Sequence, residues 1–407
     1  MTTSNPLRHD RISYLTNLTP MRGIAALLTV IFHIDLFMGN ALVHPDTSHI
    51  LSRMYLMVDF FFILSGFIMS YVYGFRFTSQ VTRADFKKFT IARFSRVYPL
   101  HFAMLFFLII VLYVFGRLGV PNVPILQVDN SLYSVMTNIL LLHSMNFHNW
   151  FTWVHASWSI STEWWAYMVF PFLVLPLFRL KAAGRVLVCL ACFAGYFLIM
   201  YFIYPSVKVP EAISFVQFHR SDWSINIAYQ YGIVRCLCGF ILGMMMHQFY
   251  KDGWGKKLLG NGWTMVILAL LSFTSMHFNL PDIITVICFP LLLLSGAYGS
   301  VGINRVFTTR PMQRLGDWSF SIYLVHQPIL IIIFFTQGLL NPPDPNQPPP
   351  IPSPAIAWGI ALVFVVLILF VSYLTYRFVE NPARRWLNSK AAHVPDTPAF
   401  VQAPGEN

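Results

Sequence analysis

Arg22 and His33 stand eleven positions apart in RGIAALLTVIFH, the first strongly apolar run of the chain. An arginine side chain presents a rigid fork of donors that suits phosphate and carboxylate oxygens. A neutral imidazole takes up a proton near physiological pH, and burial favours that neutral form. On one helix, eleven residues rise about 16 Å and return to within roughly 20° of the same face. An anion grip and a proton acceptor then lie along a single stripe. Other ionisable groups interrupt apolar sequence as well: Asp59 in VDFFFILSGF, Glu163 in SWSISTEWWAY, Arg235 in YGIVRCLCGF and His326 in GDWSFSIYLVHQP. In hydrocarbon each is costly unless it is paired or solvated.

The elements that carry these groups follow from composition. Of 407 residues, 56% are hydrophobic and 11% charged, against roughly 25% charged in a soluble domain. Apolar segments at 21–38, 54–74, 98–117, 158–178, 185–204, 225–249, 262–279, 283–299, 318–338 and 355–377 are each near the roughly 20 residues that cross a bilayer. SLYSVMTNILLLHSMNF (131–147) is shorter and carries Asn138 and His143, so it is expected to be re-entrant or interfacial. The fold class is therefore all-α, a polytopic membrane bundle of about ten transmembrane helices. Residues 1–20 form an N-terminal segment, 21–387 the transmembrane domain and 388–407 a disordered tail.

Charge placement orients this bundle. With both termini cytoplasmic, 22 of the 27 Lys and Arg fall on the inside, among them Arg22, Arg76, Arg93, Arg96, Arg310 and Arg384. Arg53, Arg117, Lys208 and Arg220 remain outside, and Arg235 lies within a span. That is the positive-inside bias. Topology and anionic lipid account for the net charge of +11, and nucleic acid is not expected as a partner. No cleavable signal peptide is expected, because the first span is long and contains His33 and Asp35. The five cysteines all fall in spans and imply no disulfide framework. The stretch 341–354 reads as a stiff Pro-rich spacer.

Depth groups the polar residues. Arg22 sits at the cytoplasmic mouth. His33 and His326 lie deeper at similar levels, His326 being nine residues, about 13–14 Å, past Asp317. Asp59 and Glu163 fall in the outer third, and Arg235 about ten residues into its span. These groups could line a shared cavity, or lock helices together as ion pairs, Glu163 with Arg235 or Asp59 with an arginine. Trp158, Trp164 and Trp165 could line a site or form an interfacial belt.

Six motifs in order resemble the membrane acyltransferase 3 family: Arg22-x10-His33, VDFFFILSGF, Arg93-x-x-Arg96, SWSISTEWW, SFSIYLVHQP and ENPARRW. The likeness spans roughly residues 21–387. It implies a ten-helix bundle in a bacterial inner membrane that moves an acyl group, usually acetyl, from cytoplasmic acyl-CoA. The acceptor it implies is a hydroxyl of a polysaccharide or glycolipid at the outer face, with no metal. On that reading His33 is a general base or an acyl-carrying nucleophile. Arg22, with Arg93 and Arg96 in the loop before the third span, grips the CoA phosphates. Glu163 orients the imidazole or the acceptor, and His326 binds acceptor or helps form an oxyanion hole. Asp59, Arg235, Trp158, Trp164 and Trp165 form the acceptor side.

Two other classes fit some of these features. A transporter or flippase would use a midplane polar site, but it should show Gly/Pro-broken half-helices and internal symmetry, which are not evident. His33 and His326 could alternatively be axial haem ligands. The topology is checked directly: a cysteine placed at Ser79 in a cysteine-free background should be protected from an impermeant reagent in intact cells. Strong labelling there rejects the ten-span arrangement.

Overall fold

The computed structural model describes residues 15–120, 129–207, 223–340 and 352–390. Arg8, Arg11, Lys208, Arg220, most of the Pro-rich spacer and the tail beyond 390 lie outside the described residues. With no water in hydrocarbon to pair the backbone, apolar segments must close their own hydrogen bonds, and all ten are helical. In chain order the main helices are α1 (Leu18–Phe37), α2 (Met57–Tyr73), α3 (Arg83–Arg117), α4 (Leu132–Ile139), α5 (Trp158–Phe178), α6 (Ala182–Leu198) and α7 (Gly232–Lys251). They continue with α8 (Gly262–His277), α9 (Asp282–Tyr298), α10 (Val301–Phe307), α11 (Arg310–Asp317), α12 (Ser319–Leu340), α13 (Pro354–Thr375) and α14 (Asn381–Lys390).

Among the described residues, eight helical spans are long and apolar enough to cross a membrane, and a ninth results if α9 and α10, bent by 89°, count as one. The bend falls at Gly299, whose φ of +67° is a left-handed conformation that glycine adopts without a Cβ clash. The remaining expected span is α8, apolar but 16 residues long. The protein is thus an all-α, multi-pass integral membrane protein. α4 has eight residues and is too short to cross. Beyond it, Leu141 at φ +55° turns the chain, and its carbonyl accepts from Ser161 Oγ at 2.7 Å and Trp165 Nε1 at 2.9 Å.

Two elements differ from the sequence expectation in ways that matter for the site. Arg93 and Arg96 are not in a loop. α3 has 35 residues, about 52 Å of helix against a hydrocarbon core of about 30 Å. Its first turns therefore bring the basic stretch along as helix, started by the Thr82 hydroxyl, which accepts the Asp85 N–H at 3.1 Å. At the other end of the chain, helix continues through Lys390, and Asn388 Oδ1 accepts from Ser95 Oγ of α3 at 2.9 Å. That contact falls just past the boundary at 387 expected from the sequence.

The tightest packing joins α2 and α7. A Cβ on Gly66 would stand 1.9 Å from the Phe240 carbonyl oxygen, and one on Gly243 would stand 1.9 Å from that of Ile63. Gly239 and Gly243, four apart on one face, let the backbones approach as small residues do between membrane helices. Asp59 and Arg235 face each other across this contact, both fully buried. Arg235 Nη2 meets Asp59 Oδ2 at 2.6 Å and Nε meets Oδ1 at 3.0 Å. The remaining guanidinium donors reach the Tyr55 carbonyl, the Ile227 carbonyl and Asn226 Oδ1 at 3.2–3.3 Å. Tyr196 adds a hydroxyl to Asp59 at 3.2 Å. Every donor of Arg235 is occupied.

Breaking one side of such a pair strands the other charge, at a cost of about 3–5 kcal/mol, whereas apolar replacement of both is often neutral. Arg235→Met should therefore lower the thermal midpoint sharply in detergent, and adding Asp59→Leu should restore most of it. If the double variant is no more stable than the single one, the two charges are not coupled as described.

Candidate active site

His33 and His326 meet. α1 and α12 pack together, and His326 Nε2 stands 3.3 Å from His33 Nδ1 with the ring centroids 4.7 Å apart. Backbone carbonyls fix the tautomers. His33 Nδ1 lies 2.9 Å from the Thr29 carbonyl oxygen and His326 Nδ1 lies 3.2 Å from that of Ile322, one turn back on each helix. A carbonyl oxygen only accepts, so both Nδ1 atoms carry hydrogen and both Nε2 atoms keep a lone pair. His326 Nε2 can share the His33 Nδ1 proton, which leaves His33 Nε2 as the open basic atom of the pair. His326 is fully buried and His33 half-buried. Rings this close leave no room for a porphyrin between them.

A cavity walled by α1, α2, α3, α5 and α12 reaches Tyr323, next to this pair, although neither histidine is among the residues that line it. At one end it is lined by Arg22, Arg93 and Arg96; Ser159, Glu163, Tyr167 and Tyr323 line it further along. Tyr323 links it to the histidines: its hydroxyl lies 2.8 Å from Ser159 Oγ and its ring 5.9 Å from that of His326. The three arginines are held differently. Arg96 is ion-paired with Glu380, whose second oxygen accepts from Ser321 at 2.7 Å. Arg93 donates to the Tyr73 hydroxyl at 2.8 Å and lies over the Tyr73 and Tyr167 rings. Arg22 takes no hydrogen-bond or ion-pair partner among the described residues; Glu163, Glu380 and Arg96 act on it only through space. At the same end, burial raises the Asp317 carboxyl above its ordinary range, opposed by Arg22, Arg96 and Arg384.

The other expected site residues are distributed differently. Glu163 does not join the histidines. It accepts from the Tyr167 hydroxyl at 2.5 Å, and Tyr167 reaches Ser65 at 3.1 Å. Glu163 therefore shares the arginine-lined cavity, where an outer pocket was expected. The reason is depth: the cavity runs along α5 far enough to reach a residue only five positions from its start. Asp59 and Arg235 bind each other with no open surface for a ligand. Trp158 is buried against Arg235, 5.4 Å from its guanidinium, and against Phe62. Trp164 packs edge-on to Phe94, and Trp165 holds the Leu141 carbonyl. No aromatic, carboxylate-lined acceptor pocket is assembled from these residues.

Sequence reasoning missed Glu380, Tyr323, Ser159, Tyr167 and Tyr73. Glu380 stood in ENPARRW as the first acidic residue after the last span. What could not be read was the π-helical turn Tyr376–Glu380 that aims it. Such turns insert one residue into a helix and recur at functional sites.

Comparison with known proteins matches this architecture to a family. Residues 16–377 fit the acyltransferase 3 family, described as an acyltransferase domain. Acyltransferase MdmB of Streptomyces mycarofaciens is 26% identical, with the match covering 97% of this chain and 98% of that protein. Peptidoglycan O-acetyltransferase OatA of Listeria monocytogenes is 19% identical over 93% of this chain, which spans only 57% of that longer protein. Protein 2 in picA locus of Rhizobium radiobacter is 39% identical, over 24% of this chain and 46% of its own length. No solved structure matches significantly. The chain is an acyltransferase, a member of the acyltransferase 3 family.

Proposed function

We propose that this protein transfers an acyl group, acetyl in the first instance, from acyl-CoA entering at the arginine end to a carbohydrate hydroxyl at the histidine end. The observation that carries the reading is one cavity lined by Arg22, Arg93, Arg96 and Tyr323, with the Tyr323 ring 5.9 Å from that of His326 and His326 in turn 3.3 Å from His33. A guanidinium without a counter-ion favours an anionic donor terminus, and among the described residues Arg22 has no direct partner. CoA carries phosphates at one end and a thioester on a flexible arm, so its charge and its reactive carbon are separated along its length as the arginines and imidazoles are here. Peptidoglycan O-acetyltransferase among the relatives supports a glycan acceptor, and the bacterial relatives support a plasma-membrane setting. The positive-inside bias supports a cytoplasmic arginine end.

The chemistry follows from the tautomers. The acceptor hydroxyl gives its proton to His33 Nε2 as its oxygen attacks the thioester carbon. Imidazolium forms on His33, and its Nδ1–H is shared by the Thr29 carbonyl and His326 Nε2, which stabilise the charge. The tetrahedral oxyanion needs donors, and the paired Ser159 and Tyr323 hydroxyls are the cavity's nearest candidates. Collapse expels CoA thiolate, which takes the proton back from His33. Protons and charge balance without an acyl-histidine intermediate.

Loss of a general base costs about 10²–10⁴ in rate. His33→Ala should reduce acyl transfer by that range while the protein still inserts and survives purification, and transfer within a few-fold of wild type would remove His33 from the mechanism. The donor assignment has a separate readout. Arg22→Glu should raise the KM for acetyl-CoA by more than tenfold and leave the acceptor KM within about twofold, since one charge-assisted phosphate contact contributes about 1.5–3 kcal/mol. The opposite split, with only the acceptor KM rising, would place the arginines on the wrong substrate.

A further inference from the structure

A third imidazole, His155, is carried by a turn fastened to α12 next to His326. His155 sits on a single 3-10 turn, His155–Ser157, just before α5. The turn is fastened to α12 by the Ala156 N–H, which donates to Gln327 Oε1 at 2.6 Å, Gln327 being the residue after His326. Ser157 closes the turn on the Val154 carbonyl through both its N–H, at 2.9 Å, and its hydroxyl, at 2.6 Å. The His155 ring is stacked on Phe151 at 5.2 Å and 19°, and Phe151 in turn packs on Tyr229. Yet His155 Nε2 is buried with no hydrogen-bond partner.

A buried ring nitrogen without a partner is costly, and native structures keep few of them without a purpose. The ring is stacked on Phe151 and its turn is fastened to α12, and in that position Nε2 meets no partner among the described residues. The Ala156–Gln327 bond sets the turn beside His326, at the end that the acyltransfer reading gives to the second substrate. A hydroxyl is the group that completes Nε2 in either tautomer, because it both donates and accepts.

Resting on the acyltransfer reading, we propose that His155 is an acceptor-binding residue: its Nε2 holds a second hydroxyl of the acceptor, adjacent to the one that His33 deprotonates. The enzyme then selects acceptors with neighbouring hydroxyls, as on a sugar ring, over isolated alcohols. Phe151, half-buried against the His155 ring, is the aromatic group beside this site, a role that Trp158, Trp164 and Trp165 do not fill.

Minimal acceptors test this without knowing the natural one. With acetyl-CoA as donor, the purified enzyme should acetylate glycerol at least tenfold more efficiently than propan-1-ol. His155→Ala should abolish that preference by raising the glycerol KM, leaving transfer to propan-1-ol, acceptor-free hydrolysis of acetyl-CoA and the donor KM unchanged. His155→Gln, which keeps a hydrogen-bonding group, should retain part of the preference and covers the case in which the alanine variant does not fold. Equal use of the two alcohols by the wild type, or an undiminished preference in both variants, overturns the proposal. If the wild type consumes no acetyl-CoA at all, the failure lies with the acyltransfer reading. If it turns over acetyl-CoA normally and only the preference is missing, the failure is that of His155 alone.

Discussion

A charge inside hydrocarbon must be answered by an opposite charge, by hydrogen bonds or by a ligand, and that requirement organises this bundle. Three arginines are answered by carboxylates from distant helices. Arg53 and Asp282 join 2.5 Å apart with Tyr55 bridging. Arg235 and Asp59 close the α2–α7 contact. Arg96 takes Glu380 from beyond the last span. Arg93 is answered by a phenol and two aromatic faces. Against that background Arg22 stands out, because it faces a cavity and the described residues give it no direct partner. The exception to the pairing rule coincides with the cavity that reaches Tyr323, next to the histidines.

The pairing also divides rigid structure from chemistry. α2 and α7 are welded by glycines and a saturated ion pair, so the α2 wall of the cavity has little freedom to shift. On the other side, α1 and α12 contribute the two imidazoles, each with its Nδ1 hydrogen directed to the carbonyl one turn back. Two neutral imidazoles facing each other would ordinarily be ambiguous in protonation. Here the helix backbone removes the ambiguity and leaves a defined basic atom on His33.

Much of this was legible in the sequence, and the limits have physical causes. Apolar runs had to be helices because hydrocarbon offers the backbone no other solution. The common depth of His33 and His326 followed from helical rise. Arg22-x10-His33 and Arg93-x-x-Arg96 pointed to groups that do line, or adjoin, one cavity. Partner choice was not legible, because depth is one coordinate and neighbours require three. Asp59 and Arg235 came out as a locked pair, an alternative the sequence left open. Glu163 turned from an expected outer pocket toward the arginines, because its depth on α5 was readable but the reach of the cavity was not. The three tryptophans were read by composition, which distinguishes neither a belt nor a buried prop from a sugar platform.

The π-helical turn Tyr376–Glu380 has a bearing on how the chain can be shortened or extended. Because that turn delivers Glu380 to Arg96, and Asn388 is tied back to Ser95, the fold does not end where the last apolar segment ends. A truncation or reporter fusion placed at the edge of the bilayer, where hydropathy alone would put it, removes the counter-ion of Arg96 and leaves a second bare guanidinium beside Arg22. The same insertion rule applies to natural variation. Deleting one residue within 376–379 would turn the helix beyond it by about 100° and swing the Glu380 carboxylate away from Arg96, while an insertion past Lys390 disturbs no contact of the described bundle.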